Sequence, residues 1–153
     1  MRAKYRFFNE DEVIAAARKM VCERIKTYGD ALSAPAIVSD YLRLSLAHLE
    51  YEVFGILFLN TQNNLIEDVE MFRGTISQTS VYPREVVKTA LLLNAAGVIL
   101  YHNHPSGVEA PSRADESLTS VIKSSLALVD VRVLDHIIIA GNNKFSFAEN
   151  GKI

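Results

Sequence analysis

A chain of 153 residues, 49% of them apolar, has the size of one globular domain and can bury roughly 68–70% of the surface its unfolded form exposes. A net charge of −2 and an isoelectric point near 6.1 exclude a bulk electrostatic pull toward nucleic acid or anionic membrane. The lone cysteine, Cys22, excludes an intramolecular disulfide and any multi-cysteine zinc site, the paired-cysteine site of zinc deaminases included.

Cys22 itself reads as a small apolar residue on a helix face. Arg2, Lys4 and Arg6 form the local basic cluster, which is expected to be a solvated tail. The first residues lack the apolar core and small-residue cleavage site of a secretory leader. The longest apolar stretch, Ala90 to Tyr101, is broken by Asn94 and Gly97 and is too short to span a bilayer. A reduced, cytoplasmic setting is the expectation, with no membrane partner.

In chain order, residues 9–27 read as a first helix. Asn9 caps it with Glu12 three positions on, Glu10 and Asp11 fill its first turn, and Arg24 and Lys26 its last. Its apolar stripe is Val13, Ile14, Ala17, Met20, Val21 and Ile25. Gly29-Asp30 and Ser33-Ala34-Pro35 mark a loop before a helix over 36–49, with Ile37, Val38, Tyr41, Leu42 and Leu49 inward. His48 on that helix reads as an ordinary surface or packing residue.

Then the period changes. Val53 to Leu59 is a continuous apolar run of strand length, expected to be buried on both faces. Thr61 to Asn64 turns the chain into a second strand, about Leu65 to Phe72. Gly74 and Ser80 bracket a connection to a helix opening at Pro83, with Val86, Val87, Ala90 and Leu91 inward and Gly97 marking the turn after it. Val98 to Tyr101 is the strand that delivers His102. A helix follows at 113–127, then strands at about 131–133, 136–140 and 144–148. The fold class is therefore α/β, a mixed sheet covered by helices. Residues 1–35 supply an N-terminal helix and linker belonging to the same globular unit as the domain of residues 36–153.

The stretch from His102 to Asp115 concentrates the chemistry. Residues i and i+2 of an extended chain point to one face, so His102 and His104 can converge. Asp115, at a nearby helix start, adds a carboxylate within reach of the same point. Two imidazoles and one carboxylate leave a tetrahedral zinc ion with a fourth position for water, the pattern of a catalytic site. Plainer readings stand beside this one. The histidines could be loop residues next to the turn-forming Pro105-Ser106-Gly107, and Ser112-x-x-Asp115 could be a capping box alone. Glu52 could be a rim carboxylate outside a buried strand.

Glu52, His102-x-His104, seven intervening residues and Ser112-x-x-Asp115 together resemble the motif of the JAMM (MPN-type) zinc metalloproteases. Phe72-x-Gly74-Thr75, Pro83-Arg84-Glu85, His102 to Gly107, Asp135 to Ile138 and Ser146 to Glu149 resemble the bacterial RadC branch of that superfamily, over about residues 36–153. Tyr82 stands where many relatives have histidine, and that position receives no chemistry.

The resemblance implies a cytidine-deaminase-like JAB/MPN fold and a Zn2+ cofactor held by His102, His104 and Asp115. It implies Glu52 as the general base and Ser112 as a hydrogen-bond donor to the tetrahedral oxyanion, acting on a protein or peptide substrate. Longer RadC relatives carry an N-terminal helix-hairpin-helix DNA-binding segment. This chain offers a short amphipathic helix there, so DNA processing or repair is the weaker expectation. A non-catalytic interaction module that keeps the fold is a third.

Three neighbours complete the expectation. His136 reads as a strand-edge histidine in preference to one orienting a ligand. Asn103 is expected to point away from the metal and brace the loop, and Gly107 to supply a positive φ.

Overall fold

The computed structural model describes residues 9–28, 35–74 and 81–153. Their elements are α1 (Glu10–Tyr28), α2 (Pro35–Leu46), β1 (Val53–Leu59), β2 (Leu65–Arg73), α3 (Pro83–Leu92), β3 (Gly97–Asn103), α4 (Arg113–Ala127), β4 (Arg132–Ala140) and β5 (Asn143–Ser146). Expectations for Arg2, Lys4, Arg6, the Gly29–Ala34 loop, Thr75 and Ser80 lie outside the described residues.

The strands form a five-stranded sheet of order β2-β1-β3-β4-β5. The pairs β1–β2, β1–β3 and β4–β5 are antiparallel and β3–β4 is parallel, so the sheet is mixed, as expected of this α/β class. A parallel pair needs a crossover, and α4 is the helix between β3 and β4.

Every residue of β1 and of β3 is buried, because helices cover both faces. On one face Val53, Leu57, Leu59, Ile99, Tyr101, Ile137 and Ile139 pack against Val38, Tyr41, Leu42 and Leu46 of α2 and Ile25 of α1. On the other Phe54, Ile56, Phe58, Val98 and Leu100 pack against Val86 and Ala90 of α3 and Ile122 and Leu126 of α4. Cys22 is half-buried beside the first cluster, on a helix face as expected.

Several details differ from the sequence expectation. Only the C-terminal half of the α1 stripe meets the core, and Val13 and Met20 are exposed. Helix α2 ends at Leu46, and its buried stripe Val38, Tyr41, Leu42, Ser45, Leu46 turns Ile37 to solvent. His48 is exposed in the turn that follows. Leu91 points outward for the same angular reason, since Val86 and Ala90 define the inward line of α3. The turn after α3 is made by Asn94 at φ 51°, and Gly97 already belongs to β3.

The largest correction is that residues 131–133 and 136–140 are not two strands. Apart from Val131, they belong to the continuous strand β4, with a bulge where the pattern breaks. Val98 pairs with Val133 and Ile99 with Asp135, which leaves Leu134 as the extra residue. An extra residue shifts the alternation by one, so His136 falls on the same sheet face as His102.

Candidate metal centre

Alternation along β3 carries Val98, Leu100 and His102 onto the face covered by α3 and α4. His104 continues the strand line, its main-chain N–H donating to the Ile139 carbonyl at 2.8 Å. The chain then reverses, with the Gly107 N–H donating to the His104 carbonyl at 3.0 Å and Gly107 at φ +79°. That turn brings the Val108 carbonyl 2.7 Å from Nδ1 of His104. A carbonyl only accepts, so Nδ1 carries the proton and Nε2 presents a lone pair.

Ser112 caps α4. Its Oγ accepts from the Asp115 N–H at 3.1 Å, and Asp115 Oδ2 accepts from the Ser112 main-chain N–H at 2.7 Å, a full capping box. The Ser112 hydroxyl also donates to Oδ2 at 2.7 Å. The plain reading of Ser112-x-x-Asp115 is therefore correct as far as it goes, and the cap fixes the carboxylate where the histidines converge.

Nε2 of His102 and Nε2 of His104 are 2.9 Å apart. Asp115 Oδ1 is 3.3 Å from the first and Oδ2 3.4 Å from the second. In a tetrahedron with metal–ligand bonds of about 2.0–2.1 Å the ligand atoms lie about 3.3 Å apart. The three residues are the group among the described residues whose ligand atoms can hold a metal ion. They fit zinc in donor type and spacing, and their side chains are only 7%, 13% and 17% exposed.

Glu52 precedes β1. Phe54, two residues on, pairs with His102 in antiparallel register at the end of the β1–β3 ladder. The backbone of Glu52 is held from both sides. The Gly74 N–H donates to the Glu52 carbonyl at 3.0 Å. On the β3 side, Asn103 Oδ1 accepts from the Val53 N–H at 2.7 Å and its Nδ2 donates to the Tyr51 carbonyl at 2.8 Å. Asn103 does point away from the imidazoles, as expected, but it braces the chain around Glu52 instead of its own loop.

A family model for the RadC-like JAB domain matches residues 32–152 of this sequence. The chain belongs to the RadC-like JAB domain family. It is 60% identical over 141 residues to a UPF0758 protein of Thiobacillus denitrificans, 92% of this chain and 62% of that protein. It is 55% identical over 139 residues to one of Methylibium petroleiphilum, covering 91% and 62% of the two chains. A UPF0758 protein of Herminiimonas arsenicoxydans is 54% identical over 141 residues, with 92% and 62% covered. The chain thus spans less than two thirds of the length of these relatives.

In this RadC-like JAB domain the sequence segments that carried the resemblance have structural reasons. Asp135 Oδ1 accepts from the main-chain N–H groups of His136 at 2.7 Å and Ala148 at 2.9 Å, while Oδ2 accepts from the Ser146 hydroxyl at 2.6 Å. That carboxylate ties β4 to the end of β5 and seats Phe147 on His136, ring centroids 4.7 Å apart and stacked.

His136 is fully buried in an inner strand, not at a sheet edge, and its Nε2 lies 2.8 Å from Nδ1 of His102. Burial pushes its pKa well below the ordinary histidine value, and the neighbouring His102 pushes the same way. His104 is raised, chiefly by its hydrogen bond with Asp115 against the opposing effect of burial. The Val108 carbonyl and the charges of Asp115 and Glu52 add to that rise, which places Glu52 within electrostatic reach of the centre. Burial alone would raise Asp115, but its bonds with His102, His104 and Ser112 outweigh this and hold it well below the carboxylate range.

Thr119 escaped the sequence reading. Its hydroxyl lies 2.6 Å from the Asp115 carbonyl and 2.6 Å from Nδ1 of His136. The available signal was spacing, since Thr119 sits one helical turn beyond Asp115 on the same face of α4.

Proposed function

We propose that this domain is a zinc-dependent hydrolase of the JAMM type, cleaving peptide or isopeptide bonds. One observation carries the reading: Nε2 of His102, Nε2 of His104 and the Asp115 carboxylate lie 2.9–3.4 Å from one another, with their side chains 7–17% exposed. Three such groups so close need positive charge among them, a shared proton in the metal-free protein or a metal ion when one is bound. His102, His104 and Asp115 would hold that ion. Zinc bound there would supply Lewis acidity, drawing the pKa of water from 15.7 toward about 7.

The protein groups divide the remaining work. Glu52, whose charge reaches His104, takes the proton of the attacking water and returns it to the leaving amine. Ser112 rotates its hydroxyl from Asp115 Oδ2 toward the oxygen that gains charge, a contact typically worth about 2.7–4 kcal/mol. While it does so, the capping N–H bonds to Ser112 Oγ and Asp115 Oδ2 keep the helix start in place. The substrate is a protein or peptide. We place the reaction in a reducing compartment, where the half-buried Cys22 stays a thiol.

The test is to incubate the zinc-loaded protein with a peptide library and to identify new amine termini by mass spectrometry. Glu52→Gln is expected to keep its zinc and to lose cleavage by about 10²–10⁴-fold. Equal cleavage by both proteins removes Glu52 from the mechanism. No cleavage by either, with zinc bound, contradicts the hydrolase and leaves a metal-bearing interaction module.

A further inference from the structure

A chain of hydrogen bonds behind His102 decides which of its nitrogens is free. It starts at the main-chain carbonyl of Asp115, which can only accept. The Thr119 hydroxyl, 2.6 Å away, therefore commits its one proton there. Its oxygen then offers a lone pair to His136 Nδ1, also at 2.6 Å, so that nitrogen carries a proton. His136 lies in a sleeve of rings, Phe147 stacked at 4.7 Å and Phe54 edge-on at 5.7 Å, with no exposed surface. In the neutral imidazole that such surroundings favour, Nε2 is the acceptor. It faces Nδ1 of His102 at 2.8 Å, so His102 is the donor of that bond. The lone pair of His102 is left on Nε2, among the ligand atoms.

We propose that Thr119 and His136 are positioning residues of the centre: they hold His102 in the Nδ1–H tautomer, which leaves Nε2 open to a divalent metal ion. The inference rests on the metal reading above and extends it to two residues that touch no ligand atom site. It also explains why the chain of bonds ends on Asp115. The same residue that contributes its carboxylate from α4 contributes its carbonyl to the relay, so the ligand on β3 and the ligand on α4 are fixed against each other. The bulge at Leu134 has its purpose here, because without it His136 would face the α2 side of the sheet.

Thr119→Val keeps the side-chain volume and removes the relay. With no lone pair facing Nδ1, the His136 proton is free to move to Nε2, His102 Nδ1 becomes the acceptor, and the His102 proton moves to Nε2, where it blocks coordination. Two measurements read this on metal-free protein. The first is competition for Zn2+ against a chromophoric chelator. Thr119→Val is expected to bind about 10–100-fold more weakly, and Thr119→Ser to restore affinity to within about threefold. The second is the long-range 1H–15N spectrum of the histidine rings, in which His102 is Nδ1–H in the wild type and in Thr119→Ser and Nε2–H in Thr119→Val. Unchanged zinc affinity in Thr119→Val overturns the proposal, as does an Nε2–H tautomer of His102 in the wild type, a result that needs no variant to fold. A wild type that binds no Zn2+ overturns the metal reading instead, and the ring spectrum still decides the relay.

Discussion

Two carboxylates lie deep in this molecule on opposite faces of one sheet, and their surroundings differ in a single respect. Asp68, on the α1–α2 side, is surrounded by donors: the Tyr101 hydroxyl reaches Oδ1 at 2.6 Å, while Tyr41 at 2.5 Å and Arg18 at 2.9 Å reach Oδ2. Tyr101 arrives there by crossing Gly55, where a Cβ would lie 2.1 Å from the phenol oxygen. Asp115, on the α3–α4 side, has donors from Ser112 on one edge and imidazole nitrogens on the other. The first cluster is closed, its charge matched by Arg18 and its lone pairs occupied, and it locks helices to strands. The second is held from behind by Ser112 and faces two imidazoles in front, with no arginine to close it. The contrast separates a carboxylate that builds the fold from one whose neighbours could hold a metal ion.

The strongest way to break this comparison is to exchange the expected losses. Asp68→Ala strands two tyrosine hydroxyls and one guanidinium, and is expected to cost about 3–5 kcal/mol in urea unfolding while zinc content per chain stays the same. His104→Ala is expected to abolish zinc binding and to change the stability of the metal-free protein by less than about 1 kcal/mol. If removing His104 destabilises the metal-free fold as much as removing Asp68, the two clusters are of one kind.

A smaller effect separates the ligands from the segment carrying Glu52. Asn103→Ala removes the buried bonds to the Val53 N–H and the Tyr51 carbonyl, at about 2 kcal/mol by thermal or urea unfolding. Zinc affinity should stay within a fewfold of wild type while peptide cleavage falls. A loss of zinc affinity as large as in His104→Ala would mean that Asn103 serves the histidines and not Glu52.

The finest test uses pH, in metal-free protein. His104 has a raised pKa, so its contribution is fully present below the unfolded value of about 6.5 and is lost as pH rises through the folded value. His136 has a lowered pKa, so below about 6.5 the unfolded chain takes up a proton that the folded chain refuses. Stability is therefore expected to peak near pH 6.5 and to fall on the acid side by up to about 1.4 kcal/mol per pH unit. In His104→Ala the acid limb should remain and the decline on the alkaline side should vanish. A flat profile in wild type contradicts the burial of His136 as a neutral ring.

How far the sequence could be read follows from what each residue depends on. The buried run Val53–Leu59 and the His102–His104 alternation were legible because strand geometry has a fixed period, and the Asp115 carboxylate because capping is local. The resemblance to JAMM proteins supplied Glu52, which spacing alone could not attach to residues fifty positions later. His136 was misplaced at a strand edge because the extra residue Leu134 interrupts the alternation, and a bulge is a property of two paired strands. Thr119 and the grip of Asn103 on Tyr51 and Val53 were hidden for a related reason: each joins segments whose neighbourhood only the folded sheet creates.

The central claim is that the acceptors of His102, His104 and Asp115 are set for a metal ion. Titration of chelator-treated protein with Zn2+, followed by calorimetry and by elemental analysis after gel filtration, tests it most directly. One zinc per chain, retained through the column by wild type and Glu52→Gln and absent from His104→Ala, is the expected result. Wild-type protein that emerges without zinc, or that keeps it equally well after His104→Ala, would contradict the account.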